Sequence, residues 1–469
     1  MPRVETQIDS SSPDRRGMER RKQPAMVAQT VISDPTPSPT PEYVFQMALA
    51  REVGLSHLLV AHISAGIAFM LLPGTFLGVW NLISISSKQT AASVSASWLQ
   101  AHGQAQVFGW IGSFILGIGF YSIPKLLRVS GFALWRGWTC WALWTTGVAL
   151  RWVGNVYAWH WRALLPVSAA LELSAFVLFF MAVTGHRPSG RDKSFDSWVL
   201  VVIAGTIGLS VTLLLNLGAA LYLAFRGTSP AFPRELDQRF LMLAAWGFIV
   251  PFVWGFSARW MLIFLGLPAL RKGMLVTASG VNATGVAVAV AGLFRMAVVL
   301  IFAGAVLAVA SLRMFEPAKQ PAKTRGVHGT FPYFVRAAYV WLLVAAGLGI
   351  WAAFAQGETA GIWGASRHAL TVGFVAAMVF GVGQRVLPAF SGMRHLYSPR
   401  LMFFSQALLI VGCTMRVVSE ILAYQQYLHG AWSWLPISAV IELSAVTIFA
   451  VSMAVTFVQP APAVVCAGK

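Results

Sequence analysis

The sequence predicts an all-α, polytopic membrane protein of about twelve transmembrane helices, and three observations lead there. The chain is 57% hydrophobic and only 11% charged, against roughly 25% charged in an ordinary soluble domain. Apolar stretches of about 20 residues, the length that crosses a bilayer core, recur along the whole chain after residue 53. One of these stretches returns. LPVSAALELSA at 165–175 and LPISAVIELSA at 435–445 agree at eight of eleven positions, 270 residues apart. Both copies contain a glutamate. A carboxylate in hydrocarbon is costly, so its return at the same place points to internal duplication rather than composition.

The elements follow in order. Residues 1–53 are polar, basic and rich in Pro and Ser, and read as a disordered tail. Arg15, Arg16, Arg20, Arg21 and Lys22 should hold that tail in the cytoplasm. Twelve apolar spans come next, at 54–84, 98–127, 132–157, 163–185, 197–225, 239–267, 273–291, 293–314, 333–355, 364–390, 400–424 and 432–457. Every second connection is basic. Lys125, Arg128 and Arg136 follow the second span; Arg187, Arg191 and Lys193 the fourth. Arg271 and Lys272 follow the sixth; Arg313, Lys319, Lys323 and Arg325 the eighth; Arg394 and Arg400 the tenth. This is the positive-inside pattern, and it puts both termini, including the short tail 458–469, on the cytoplasmic side. The formal charge of +18 is spread over these connections, so it marks topology and not a nucleic-acid face.

Spans two, six and ten are rich in glycine and aromatics and run to Pro124, Pro268 and Pro388. Arg151, Arg295 and Arg416 follow those prolines by 27, 27 and 28 residues. The pattern cuts the membrane domain 54–457 into three pseudo-equivalent four-helix units, 54–185, 197–314 and 333–457. On this topology Arg151, Arg295 and Arg416 lie near the outer face. Glu172 and Glu442 sit two turns inside the fourth and twelfth spans from the same face. The plain reading of these charges is mutual pairing, Arg151 with Glu172 and Arg416 with Glu442; a proton relay is the sharper one. Cys140, Cys413 and Cys466 show no metal spacing, and the first two read as core. No phosphate-binding loop, zinc-protease motif or nucleophile elbow is present, which removes the hydrolase classes.

Two short motifs carry a family resemblance. AHGQAQVFGWIGSFILGIGFYSIPKL (101–126) has a His-Gly start, an aromatic-glycine middle and a proline exit, and RHALTVGFVAAMVFGVGQRVLP (367–388) contains His-Ala-Leu-Thr-Val-Gly. With WGFIVPFVWGFSARW (246–260), these resemble the NnrS family, twelve-helix membrane proteins of bacterial inner membranes linked to nitric-oxide metabolism. More distantly, they resemble the catalytic subunit of haem–copper oxidases. The resemblance implies b-type haem, a role in nitric-oxide or respiratory redox metabolism, an electron donor and a small diatomic ligand such as nitric oxide. On it, His102 and His368 are the axial metal ligands, and Arg151, Arg416 and Arg295 partner the haem propionates. The chain also departs from those families. Spans six and seven contain no histidine, so the three-histidine copper site is missing and copper is not expected. His57 and His62 are five apart and do not share a helix face; His160 and His429 fall in matching loops. Two other readings stay open: a secondary transporter, and a haem-binding sensor or accessory protein without turnover.

Overall fold

The computed structural model describes residues 40–127, 132–184, 196–356 and 359–460. The tail arginines and Lys22, Arg128, Arg187, Arg191, Lys193, Cys466 and residues 461–469 lie outside the described residues. The chain divides at Ala48/Leu49 into two units. Of the first, only 40–48 are described. They form the start of a helix at Pro41, where the Thr40 hydroxyl accepts the Tyr43 N–H at 3.3 Å. Proline suits a first helical position because its missing N–H would be unpaired there anyway. Helix therefore reaches back to Pro41, where the sequence reading had tail as far as residue 53.

The second unit is helical throughout, with no strand among the described residues. The long helices of the described chain are α1 (Phe45–Lys88), α2 (Ala96–Leu126), α3 (Leu134–Tyr157), α4 (Trp161–Thr184), α5 (Ser197–Arg226), α6 (Arg234–Leu265), α7 (Lys272–Val290), α8 (Phe294–Leu312), α9 (Phe331–Phe354), α10 (Ala360–Phe390), α11 (Pro399–Tyr424) and α12 (Ala431–Val458). Eleven are long and apolar enough to cross a membrane. The exception is α3, which carries Arg136 and Arg151 among its tryptophans. The chain is a multi-pass membrane protein that sits in a lipid bilayer.

Helices α2, α6 and α10 form the interior. Their apolar windows are 78%, 78% and 67% buried, against 39–50% for the other eight candidate spans. Residues that are apolar or small on every face permit this, because an inner helix has no polar side to present. The three inner helices meet through aromatics: Phe108 stacks on Phe240 at 6.0 Å between α2 and α6, and Trp110 meets Phe380 edge-on at 6.1 Å between α2 and α10. Around them, α3 packs along α4, α7 along α8 and α11 along α12, while the second half of α1 lies against α12.

Each inner helix contains a widened, π-type stretch: Ala105–Gly112 in α2, Leu243–Ile249 and Ser257–Met261 in α6, and Ala369–Ala376 in α10. Such turns gather at functional sites, since they shift the side chains on either side of them. In α1 the corresponding stretch, Met70–Phe76, contains Pro73, which cannot donate the regular hydrogen bond. Pro124 and Pro388 lie just inside the ends of α2 and α10, while Pro268 lies beyond α6. Ala105 and Ala369, which open two of the widened stretches, each stand 19 residues before those prolines.

Candidate functional site

A cavity of about 1520 Å³ opens between the inner helices, walled by α1, α2, α6, α10, α11 and α12, with Arg151 of α3 and the ends of α8 and α9 at its edge. Both His102 and His368 line it. His102 Nδ1 lies 2.9 Å from the carbonyl oxygen of Gly74 in the widened stretch of α1. A carbonyl only accepts, so Nδ1 carries the proton and the neutral ring keeps its lone pair on Nε2. Gly78 makes room for the ring: a Cβ there would come within 2.7 Å of His102 Cε1. The α1 backbone thus sets both the tautomer and the orientation of this imidazole.

His368 is held differently. Its Nδ1 faces the Gly364 carbonyl one turn back at 3.0 Å and Glu420 Oε2 on α11 at 3.4 Å. The same Glu420 oxygen lies 3.4 Å from Arg416 Nη2. Gly364 is required here as well, because a Cβ at that position would fall on the Glu420 carboxylate. Histidine ligands characteristically donate their second nitrogen to a carbonyl or carboxylate, which fixes the ring and raises its basicity. Both histidines have that arrangement. They also lie within electrostatic reach of one another and of Arg416.

The other residues singled out in the sequence divide into two groups. Arg151, Arg416, Arg295 and Glu442 line the cavity with the histidines. Glu172 does not; it is fully buried behind the wall, accepting from Gln104 Nε2 at 3.4 Å and Asn216 Nδ2 at 3.1 Å. Each expected arginine–glutamate pair lies within electrostatic reach, but neither closes to a contact ion pair among the described residues. Arg416 takes Glu420 on its own helix, and Glu442 Oε1 has no hydrogen-bond partner. Arg151 makes no ion pair among the described residues and instead stacks over the Phe232 ring at 4.7 Å. The reason is geometric. Residues four apart share a helix face, so Arg416 meets Glu420 before it meets a partner on another helix. Arg295 is exposed and donates from Nε to the Ala353 carbonyl at the end of α9, at 3.3 Å. That contact suits the negative end of a helix.

Glu420, Asn216, Gln104 and the two glycines beside His102 were not singled out in the sequence. Only Glu420 left a signal there, the four-residue spacing in RVVSE (416–420). The remaining candidates lie apart. His62 is fully buried, with Nδ1 on the Leu58 carbonyl at 3.0 Å and its ring against Phe120. His57 and His160 are exposed, and His429 faces Gln89 at 3.2 Å. Arg259 is exposed over Trp198 and Trp260, and Arg385 lies 4.4 Å over Phe264. Cys140 and Cys413 are buried and free. Among the described residues, no three His, Cys, Asp or Glu side chains are grouped to hold a metal ion.

One family model, described as a domain of unknown function (DUF8744), matches residues 269–458. The matched stretch holds His368, Arg416, Glu420 and Glu442, and leaves out His102, Arg151 and Glu172. No curated protein matches the chain.

Proposed function

We propose that this protein binds b-type haem in the cavity between α2 and α10, where His102 and His368 would hold the iron. The observation that supports it is the shared state of the two imidazoles. Each lines one cavity, each has Nδ1 turned to a carbonyl, and each has Nε2 left for a ligand. The space suits a large cofactor, since sites for drug-sized molecules measure roughly 300–1,000 Å³. Arg151, Arg416 and Arg295 on the wall supply positive charge for the acidic side groups of haem. Glu420 orients His368 through Nδ1, and the Gly74 carbonyl does the same for His102. Haem in such a site supplies a one-electron iron couple.

The resemblance to the NnrS family supports a role in nitric-oxide or respiratory redox metabolism, with an electron donor and a small diatomic ligand as partners. The basic connections support an inner-membrane orientation with both termini cytoplasmic. The three inner helices, one from each third, support a construction from three four-helix units.

Haem extracted from the detergent-purified protein and quantified as its pyridine complex tests the reading. One haem per chain is the expected result. A well-folded protein that carries none, and takes up none when titrated with haemin, overturns it.

A further inference from the structure

The first and last thirds share a motif across two packed helices, and they differ at one telling position. On α3, Gly147, Arg151 and Asn155 follow at four-residue steps; on α11, Gly412, Arg416 and Glu420 do the same. Four-residue steps place the three residues on one helix face. The facing helices correspond too. A Cβ on Gly147 would lie 3.0 Å from Glu172 Cγ, and one on Gly412 would lie 2.7 Å from Glu442 Cγ. Asn155 therefore stands where the last third has Glu420.

The substitution changes the charge balance. Glu420 lies 3.4 Å from Arg416 Nη2 within one turn, although Arg416 Nε and Nη1 have no hydrogen-bond partner. Asn155 cannot neutralise Arg151. Arg151 is 2% exposed and lies on the cavity wall, and its Nε and Nη1 have no hydrogen-bond partner. Glu172 is already engaged by Gln104 and Asn216. Asn155 is 1% exposed, and both polar atoms of its amide are unpartnered. Glu172 and Asp237 act on Arg151 only from beyond ion-pair distance. A buried guanidinium with no carboxylate in contact, on the same helix face as a buried amide without a partner, is a costly arrangement that a bound anion relieves.

We propose that Arg151, on the wall of the cavity, and Asn155, one turn along α3 behind that wall, form an anion site that takes a planar carboxylate or a small oxoanion. The guanidinium offers N–H donors in a fixed plane, and the Asn155 amide adds another one turn along the helix. The anion has two sources: a free ion, or a carboxylate carried by a larger occupant of the cavity. The site rests on Arg151 and its surroundings and holds whether or not that occupant is haem.

The test is thermal unfolding of the full-length, haem-free protein in detergent, titrated with formate or nitrate. Ionic strength is kept constant with a bulky sulfonate. Wild type should show a saturable rise in Tm, because a ligand that binds the folded state stabilises it by mass action. Asn155→Glu installs the counter-ion found in the last third. It should keep or raise the starting Tm and bind the anion about ten- to a hundredfold more weakly, as expected for losing hydrogen bonds to a charged group. Glu420→Asn, the mirror change, should add to the response. Haem loading separates the two sources: a response that persists identifies a free anion, and one that vanishes identifies the cofactor's own carboxylate. No saturable rise in wild type overturns the proposal. So does an undiminished response in Asn155→Glu or in Arg151→Gln.

Discussion

In the last third of the chain, His368, Glu420 and Arg416 are joined through a single carboxylate oxygen. In the first third, the corresponding residues are Gln104, Asn155 and Arg151, and they are not joined. Gln104 and His368 each immediately precede a widened helical stretch, 20 residues before Pro124 and Pro388. Both line the cavity, but Gln104 donates to Glu172 behind the wall, while His368 is held by Gly364 and Glu420. The histidine of the first third, His102, lies two residues earlier and takes its anchor from α1. The two thirds therefore share a scaffold of glycine, arginine and glutamate, and the polar groups around it differ. One side has an oriented imidazole joined to an arginine through one carboxylate. The other has a buried carboxylate behind the wall and, on it, a cation with no carboxylate in contact.

The largest effect on this contrast should come from Glu420→Ala. It leaves Arg416 buried without its carboxylate and frees His368 Nδ1 from one of its two partners. Breaking a buried ion pair from one side costs about 3–5 kcal/mol, so the variant should unfold at markedly lower temperature in detergent. A Tm equal to wild type would mean that the three residues do not act together.

Glu172→Ala should rank second. It removes the shared acceptor of Gln104 and Asn216, and leaving buried donors unpaired costs about 1–3 kcal/mol. Glu442→Ala, at the matching position, should be milder, because Glu442 Oε1 has no hydrogen-bond partner to strand. Comparing the two Tm shifts tests whether the two glutamates have diverged as described; equal shifts would argue that they have not.

Gly78→Val should come third. Its side chain would press on His102, and overpacking of this kind costs about 1–3 kcal/mol. The more specific readout is spectroscopic. Haem retained at wild-type stoichiometry, with an unchanged spectrum, would show that the ring is not held by α1. Arg295→Ala should have the smallest effect of the set, with no clear change in Tm. Arg295 is exposed, and its contact is a single hydrogen bond to a helix end.

The fold class was legible because a bilayer imposes length and apolarity on every crossing, and those properties are local in sequence. The choice of α2, α6 and α10 as interior helices was visible in part, since their glycines and aromatics set them apart. The site was legible one residue at a time but not as a set of contacts. His102 and His368 stood out through the two short motifs that carry the family resemblance. The pairing of Arg416 was misread because a partner was sought across helices while Glu420 stood one turn away. The Gly74 and Gly78 seat for His102 left no mark, because it exists only where α1 crosses α2. Nor did Asn155 stand out, since its meaning comes from comparison with Glu420 once the two helices are superposed by their glycines.

The most direct test of the account is an oxidised-minus-reduced optical spectrum of the purified protein beside His102→Ala and His368→Ala. The account predicts a b-type spectrum in wild type, lost or converted to a different ligation state in both variants. An unaltered spectrum in either variant, with haem still bound at the wild-type ratio, would contradict the assignment of these two histidines.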